Sequence, residues 1–316
     1  MHYCLIYFII LSFTIPMKSK VYVKIGRKSP FELEGRRVMD GQIAKLGDVP
    51  YQVAFKKGSI GRNKFHGKTF CGGALIAPSK VLTAAHCVAV RKSRFFGLYA
   101  YIENKNINDM FAVMGDLFNV GTRTMGSSDT DSQWRRLRHV TAHKDFNFPS
   151  HDIAVVFISG KFNYNKNVQS IPYAKKHEDY QGNCQISGYG RTNYNKRSSV
   201  LQTGLVELMK ISECDKMFER NTRNFICSKK SLSVVGKGDS GGPLVCYKTR
   251  SNRGLLVGVV SGTQDLRGTR LFSFYTRTSS YVKFIESSNR ARSVIHGDFV
   301  DYYFMFILNT IIVYCL

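Results

Sequence analysis

Residues 237–245, KGDSGGPLV, set one serine, Ser240, among three glycines and directly before an apolar run. Glycines at 238, 241 and 242 let the backbone turn tightly around Ser240. Such a turn can aim the N–H groups of Gly238 and Ser240 at one point, forming an oxyanion hole. Removing one donor from such a hole costs roughly 3 kcal/mol of barrier. A serine hydroxyl is a weak nucleophile, so it needs a base to take its proton and a carboxylate to orient that base. Two other segments offer them: residues 81–87, VLTAAHC, carry His86, and residues 151–156, HDIAVV, carry Asp152. A free imidazole titrates near 6.5, so it is mostly neutral at pH 7 and can accept a proton. Each residue alone has an ordinary structural explanation; the set points to nucleophilic catalysis.

TAAHC, DIAVV and GDSGGPLV, in that order, resemble the chymotrypsin/trypsin-like serine proteases. The resemblance runs from about Val38 to Ser287. It implies an all-β fold of two six-stranded antiparallel β-barrels with a C-terminal helix, and a cleft between the barrels. It implies the catalytic triad His86, Asp152 and Ser240, with Gly238 and Ser240 as the oxyanion hole. The chain order His, Asp, Ser is that of this family, and not of the α/β-hydrolases or subtilisins. The resemblance also places Val234, Ser261 and Ser273 in substrate binding. Val234 stands where trypsin-like relatives carry an aspartate. An apolar base offers a buried cation no partner, so the pocket is expected not to select Arg or Lys.

The sequence departs from the family pattern in the same region. Relatives commonly carry a cysteine four residues before the catalytic serine, bridged to one after the VVS segment. Here those stretches read VVGK and SGTQDLRGTR, so both cysteines are missing together. Gly262 replaces the tryptophan usual after VVS.

Around these motifs, short runs rich in Val, Ile, Phe and Tyr alternate with Gly, Asn, Ser and charged clusters, which argues for an all-β sandwich or barrel. One helical pattern stands out near residues 279–286, SSYVKFIE, with serines able to cap it. Residues 88–109 show no clear period and read as a long surface loop. His139 and His143 are four apart, but their surroundings read as strand and loop, so no metal site and no cofactor are expected.

The ends differ from the body. Residues 1–16, MHYCLIYFIILSFTIP, suit a signal-peptide core, with residues 1–17 taken as the signal. Residues 18–37 form a basic propeptide ending in Arg36-Arg37, residues 38–287 the protease domain, and residues 288–316 a basic then hydrophobic extension. In the extension, YYFMFILNTIIVYCL is short for a membrane span and is read equally as a tether or as a tail packed on the body. The stretch RRVMDG resembles the family's activation junction. That resemblance implies cutting between Arg37 and Val38 by an activating protease, after which the Val38 ammonium pairs with Asp239 and shapes the Gly238–Ser240 turn.

Of eight cysteines, six lie in the body, with no C-x-x-C pair, and three disulfides in an oxidising compartment follow, hence a secreted protein. Six cysteines allow 15 connectivities. The family resemblance selects Cys71–Cys87, Cys184–Cys246 and Cys214–Cys227.

Composition is that of a globular chain, with 43% hydrophobic and 22% charged residues, which excludes global disorder. Lys and Arg outnumber Asp and Glu by 46 to 22, a net charge of +24 that suits polyanions such as heparin-like glycans, nucleic acid or acidic membranes; glycosaminoglycan binding is expected, and no specific nucleic acid. The expected protein is a secreted serine endopeptidase made as a zymogen and acting on protein or peptide substrates. The competing reading is a catalytically weak homologue that works as a binding or regulatory protein.

Overall fold

Alternation sets the strands. The stretch KFHGKTF at the start of β3 buries every second residue, and the CGGAL that follows is buried throughout, so one strand passes from a solvated sheet into a barrel core. The computed structural model describes residues 41–288 except 61–63, 95–98, 125–131, 181, 191–196, 230–232, 248–253 and 267–269. The expected signal, the propeptide with its Arg37–Val38 junction and nearly all of the C-terminal extension lie outside the described residues.

The first half of the chain forms β1 (Gln42–Ile43), β2 (Gln52–Ile60), β3 (Lys64–Ala77), β4 (Lys80–Thr83), α1 (Ala85–Val88), β5 (Ala89–Arg94), β6 (Tyr99–Asn104), β7 (Met110–Met114), β8 (Val120–Thr124), β9 (Gln133–Ala142) and β10 (Ala154–Ile158). Six of these strands close a ring in the order β2-β7-β9-β10-β4-β3, sealed by β2 against β3, and β8 adds outside β3. All pairings are antiparallel, with Val53 opposite Gly73 and Val155 opposite Leu82. Phe55, Leu75, Leu82 and Val155 fill the interior and are fully buried. Burying a side chain of that size contributes about 1.5–3 kcal/mol.

The second half forms β11 (Gly182–Gly188), β12 (Gln202–Leu208), α2 (Ile211–Phe218), β13 (Phe225–Ser228), β14 (Pro243–Tyr247), β15 (Gly254–Leu266), β16 (Arg270–Arg277) and α3 (Val282–Ser287). Its ring runs β12-β11-β14-β15-β16-β13, closed where Leu208 meets Ser228, and β1 adds outside β12. The fold is therefore the expected pair of six-stranded antiparallel barrels, each ring carrying one further strand.

The expected C-terminal helix is present but divided. Residues Thr278–Tyr281 form a 3-10 turn that leads into α3. Neither piece has a side-chain cap. The Thr278 hydroxyl instead donates to the carbonyls of Leu256 and Val257, tying the turn to β15. Lys80 Nζ donates to the carbonyl of Ile285, anchoring α3 to the first barrel.

The reading of residues 88–109 as a loop is corrected. β5 and β6 pair antiparallel as a two-stranded hairpin, with Arg91 opposite Ile102 and Ala89 opposite Asn104. The four residues 91–94 are exposed, so no buried face imposes a period-2 pattern on the sequence there.

The three disulfides join Cys71 to Cys87, Cys184 to Cys246 and Cys214 to Cys227. These are the pairs that the family resemblance selected. Cys184 and Cys246 stand directly opposite each other on β11 and β14.

Candidate active site

His86 lies in the one-turn helix α1, whose neighbours Ala85, Cys87 and Val88 are buried. The turn is held from two sides. The Cys71–Cys87 bridge ties it to β3, and Lys105 spans it, its N–H donating to Val88 O at 2.8 Å and its Nζ to His86 O at 2.7 Å.

Asp152 precedes β10 at the tip of a tight turn. His151 takes a left-handed backbone, φ 53°, and Ile153 N–H donates back to His151 O at 2.9 Å. The Asp152 side chain is fully buried. Its Oδ1 accepts the His86 backbone N–H at 2.9 Å, and its Oδ2 lies 2.8 Å from His86 Nδ1. A carboxylate only accepts, so this contact places the proton on Nδ1 and leaves Nε2 as the basic nitrogen. The Ser261 hydroxyl donates to the same Oδ2 at 2.6 Å, and the Thr276 hydroxyl to the Asp152 carbonyl at 2.8 Å. Every contact on this buried carboxyl group is thus a donor, which is what keeps a buried anion tolerable.

Ser240 sits where the barrels meet. Its carbonyl accepts Gly72 N–H from β3 at 2.7 Å and lies 3.6 Å from Cys87 Sγ, next to His86. Gly241 holds φ +79°, and a side chain there would strike Thr83 Oγ1 at 2.2 Å. Gly238 holds φ +117°. Among the described residues, the N–H groups of Gly238 and Ser240 have no protein acceptor, and no hydrogen bond joins the Ser240 hydroxyl to His86. Cys71, His86 and Cys87 cluster within 4.8 Å of one another, but a disulfide joins the two sulfurs, which are therefore not thiolate ligands for a metal.

Asp239 is buried beneath this turn. Its Oδ1 accepts Gly190 N–H at 2.6 Å and its Oδ2 accepts Gly236 N–H at 2.8 Å. Burial pushes its carboxyl up to about 6, although both N–H contacts pull it down. The residues around it leave no spare room: a Cβ on Gly190 would fall 2.0 Å from Oδ2. Between Gly188 and Gly190, Tyr189 crosses to the first barrel and donates its hydroxyl to Asp116 O at 2.7 Å. Asp116 in turn pairs with the buried Lys56 at 2.6 Å.

Val234 and Ser273 are buried and brought together: Val235 N–H donates to Ser273 Oγ at 3.1 Å. Gly262 is closely covered, since a Cβ there would lie 2.9 Å from Phe274 Cζ and 3.6 Å from Phe148 Cζ. Phe148 itself stands edge-on to His86, ring centroids 5.6 Å apart.

Sequence reasoning did not find the Ser261–Asp152 contact, Lys105 or Phe148. Ser261, which the resemblance places in substrate binding, donates its hydroxyl to Asp152. Lys105 falls in the stretch read as a loop, where no pattern marks it. His139 and His143 do not converge: His139 contacts Thr141 and Phe157, whereas His143 stacks on His151 at 4.7 Å.

Comparison with known proteins agrees with this architecture. A model of the Trypsin family matches residues 38–285. The chain is similar to complement factor I of Rattus norvegicus, 27% identical over 82% of this chain and 40% of that protein. It is also similar to the urokinase-type plasminogen activator of Gallus gallus, 28% identical over 81% of this chain and 58% of that protein. Against ovochymase of Halocynthia roretzi it is 24% identical, over 82% of this chain and 15% of that protein. The chain thus spans less than two thirds of each of these relatives. With the family match covering most of its length, the chain belongs to the trypsin family of serine proteases.

Proposed function

We propose that the protein is a serine endopeptidase that hydrolyses peptide bonds through an acyl-enzyme. Ser240 attacks the carbonyl carbon, and His86 Nε2 takes the hydroxyl proton and then gives it to the leaving amine. Asp152 holds the imidazole tautomer and stabilises the imidazolium. The N–H groups of Gly238 and Ser240 receive the oxyanion. A second attack, by water with His86 again as base, releases the acid product. The observation that carries this reading is the buried Asp152 carboxylate, which grips His86 through both its backbone N–H and Nδ1.

The same reading includes a zymogen. Cutting after Arg37 frees a Val38 ammonium, and Asp239, buried beneath the Gly238–Ser240 turn with no cationic partner among the described residues, is its counter-ion. A buried carboxylate gains much from such a partner. Three disulfides support secretion into an oxidising compartment. No helix among the described residues is long and apolar enough to cross a membrane. The net charge of +24 supports retention on glycosaminoglycans.

The second reading, a weakly catalytic homologue, is favoured by the missing hydrogen bond between Ser240 and His86 and by the closure of Phe274 over Gly262. Peptide hydrolysis by uncut protein, cut protein and cut Asp239→Asn separates the readings. The expected order is strong activity in the cut protein alone. Equal activity in all three contradicts the zymogen, and no hydrolysis by any of them favours the homologue.

A further inference from the structure

A cavity of about 450 Å³ opens beside His86. Residues 89–93 of β5 form one wall and residues 146–148 the other. The two walls differ in chemistry. On the second, Phe148 is 54% exposed although its ring lies edge-on to His86, so apolar surface is left open beside His86. The same ring approaches Gly262 of β15, since a Cβ there would lie 3.6 Å from its Cζ.

The first wall carries two cations. Lys92 is paired with Glu103. Arg91 stands in register with Ile102, and among the described residues no carboxylate pairs with it. Asn147, which lines the same cavity, exchanges backbone hydrogen bonds with Ser150, and its side-chain amide has no partner among the described residues. A half-exposed aromatic ring, an unpaired guanidinium and a free amide donor together suit an apolar stem that ends in a carboxylate. Arg is matched to carboxylates through paired N–H donors, and a cationic side chain in the same place would meet a like charge.

We propose that this cavity is a specificity subsite for a Glu or Asp side chain close to the scissile residue, with Arg91 and Asn147 as its ligands and Phe148 as its apolar wall. This rests on the reading of Ser240, His86 and Asp152 as a peptidase site. It goes beyond the general attraction of a basic protein for acidic peptides, because it demands one position in the substrate.

The test uses synthetic peptides of a single composition in which one Glu is permuted through the positions flanking the scissile residue. A matched set carries Lys in its place. Turnover by the cut protein and equilibrium binding to the cut Ser240→Ala protein are both measured. One register is expected to be preferred over the others, and over Lys at the same place, by about tenfold or more, the scale of a charge-assisted hydrogen bond. Arg91→Glu is expected to reverse the Glu-to-Lys ratio at that register only, and Asn147→Asp to lower it. Equal use of Glu at every register would overturn the proposal, as would a ratio unmoved by Arg91→Glu. Binding that shows the register without any turnover keeps the subsite and removes the peptidase reading; turnover without a register does the reverse.

Discussion

Ser261 Oγ donates to Asp152 Oδ2 at 2.6 Å, the same oxygen that faces His86 Nδ1 at 2.8 Å. These residues are 109 positions apart and come from different barrels, so the contact fixes the carboxylate plane from the second barrel while His86 is held by the first. Ser261→Ala leaves a buried anion short of one donor. A hydrogen bond to a charged group contributes about 1.5–3 kcal/mol, part of which a water can restore. The expected outcome is a fall in kcat of about tenfold with KM nearly unchanged. Steady-state kinetics on one peptide substrate checks it.

The Asp239 carboxyl gives a pH signature to the uncut chain. Its ordinary value is 3.8, and burial pushes it up to about 6 in the folded protein. The folded state therefore holds this proton more tightly than the unfolded state. That contribution to stability is complete below the unfolded value and is lost as pH rises through about 6. The loss amounts to about 3 kcal/mol at 1.36 kcal/mol per unit. Asp239→Asn in the uncut chain should remove this loss, so its advantage over the wild type should grow between pH 4 and pH 7. On the proposed pairing with the Val38 ammonium, the sign should reverse in the cut protein, and Asn should become the less stable residue at pH 7. Urea midpoints at the two pH values, before and after cutting, measure both.

Gly190→Ala tests how closely the Asp239 carboxylate is enclosed. The new Cβ would lie 2.0 Å from Oδ2 and 2.4 Å from Cγ, so the carboxylate or the backbone must move. Overpacking of this kind costs about 1–3 kcal/mol. Stability should fall by that amount, and activity of the cut protein should fall far more, because the displaced Asp239 belongs to the Gly238–Ser240 turn. Denaturant unfolding beside peptide hydrolysis checks the two effects.

Selectivity at the primary pocket should follow Val234. Its side chain is buried, and the adjacent Val235 N–H donates to Ser273. A substrate Arg or Lys placed against Val234 would meet an apolar side chain in place of a carboxylate. Peptides with an apolar residue before the scissile bond should be cleaved at least about a hundredfold faster than those with Arg or Lys, given the cost of burying an unpaired charge. Ratios of kcat/KM across a peptide series test this, and efficient cleavage after Arg contradicts it.

The chemistry was more legible in the sequence than the geometry that supports it. Ser240 among its glycines, His86 in TAAHC and Asp152 in DIAVV are marked because backbone turns at fixed points demand particular residues. The barrel strands were legible wherever one face is buried, as in the first half of β3. The β5–β6 hairpin was not, because residues 91–94 are exposed and no core imposes alternation. The contacts of Ser261 with Asp152 and of Lys105 with His86 depend on tertiary placement, and no local pattern announces them. Gly262 was visible as a lost tryptophan, yet only the structure places Phe274 and Phe148 over it. Cysteine count gave the number of bridges, whereas their pairing came from the family resemblance.

The claim that Ser240 is an activated nucleophile is tested most directly by labelling with a fluorophosphonate probe after cleavage following Arg37, with the adduct located by peptide mass spectrometry. The account predicts stoichiometric labelling on Ser240, lost in Ser240→Ala and slowed strongly in His86→Ala. Correctly cut, folded protein that takes up no probe, or takes it up at another residue, would contradict it.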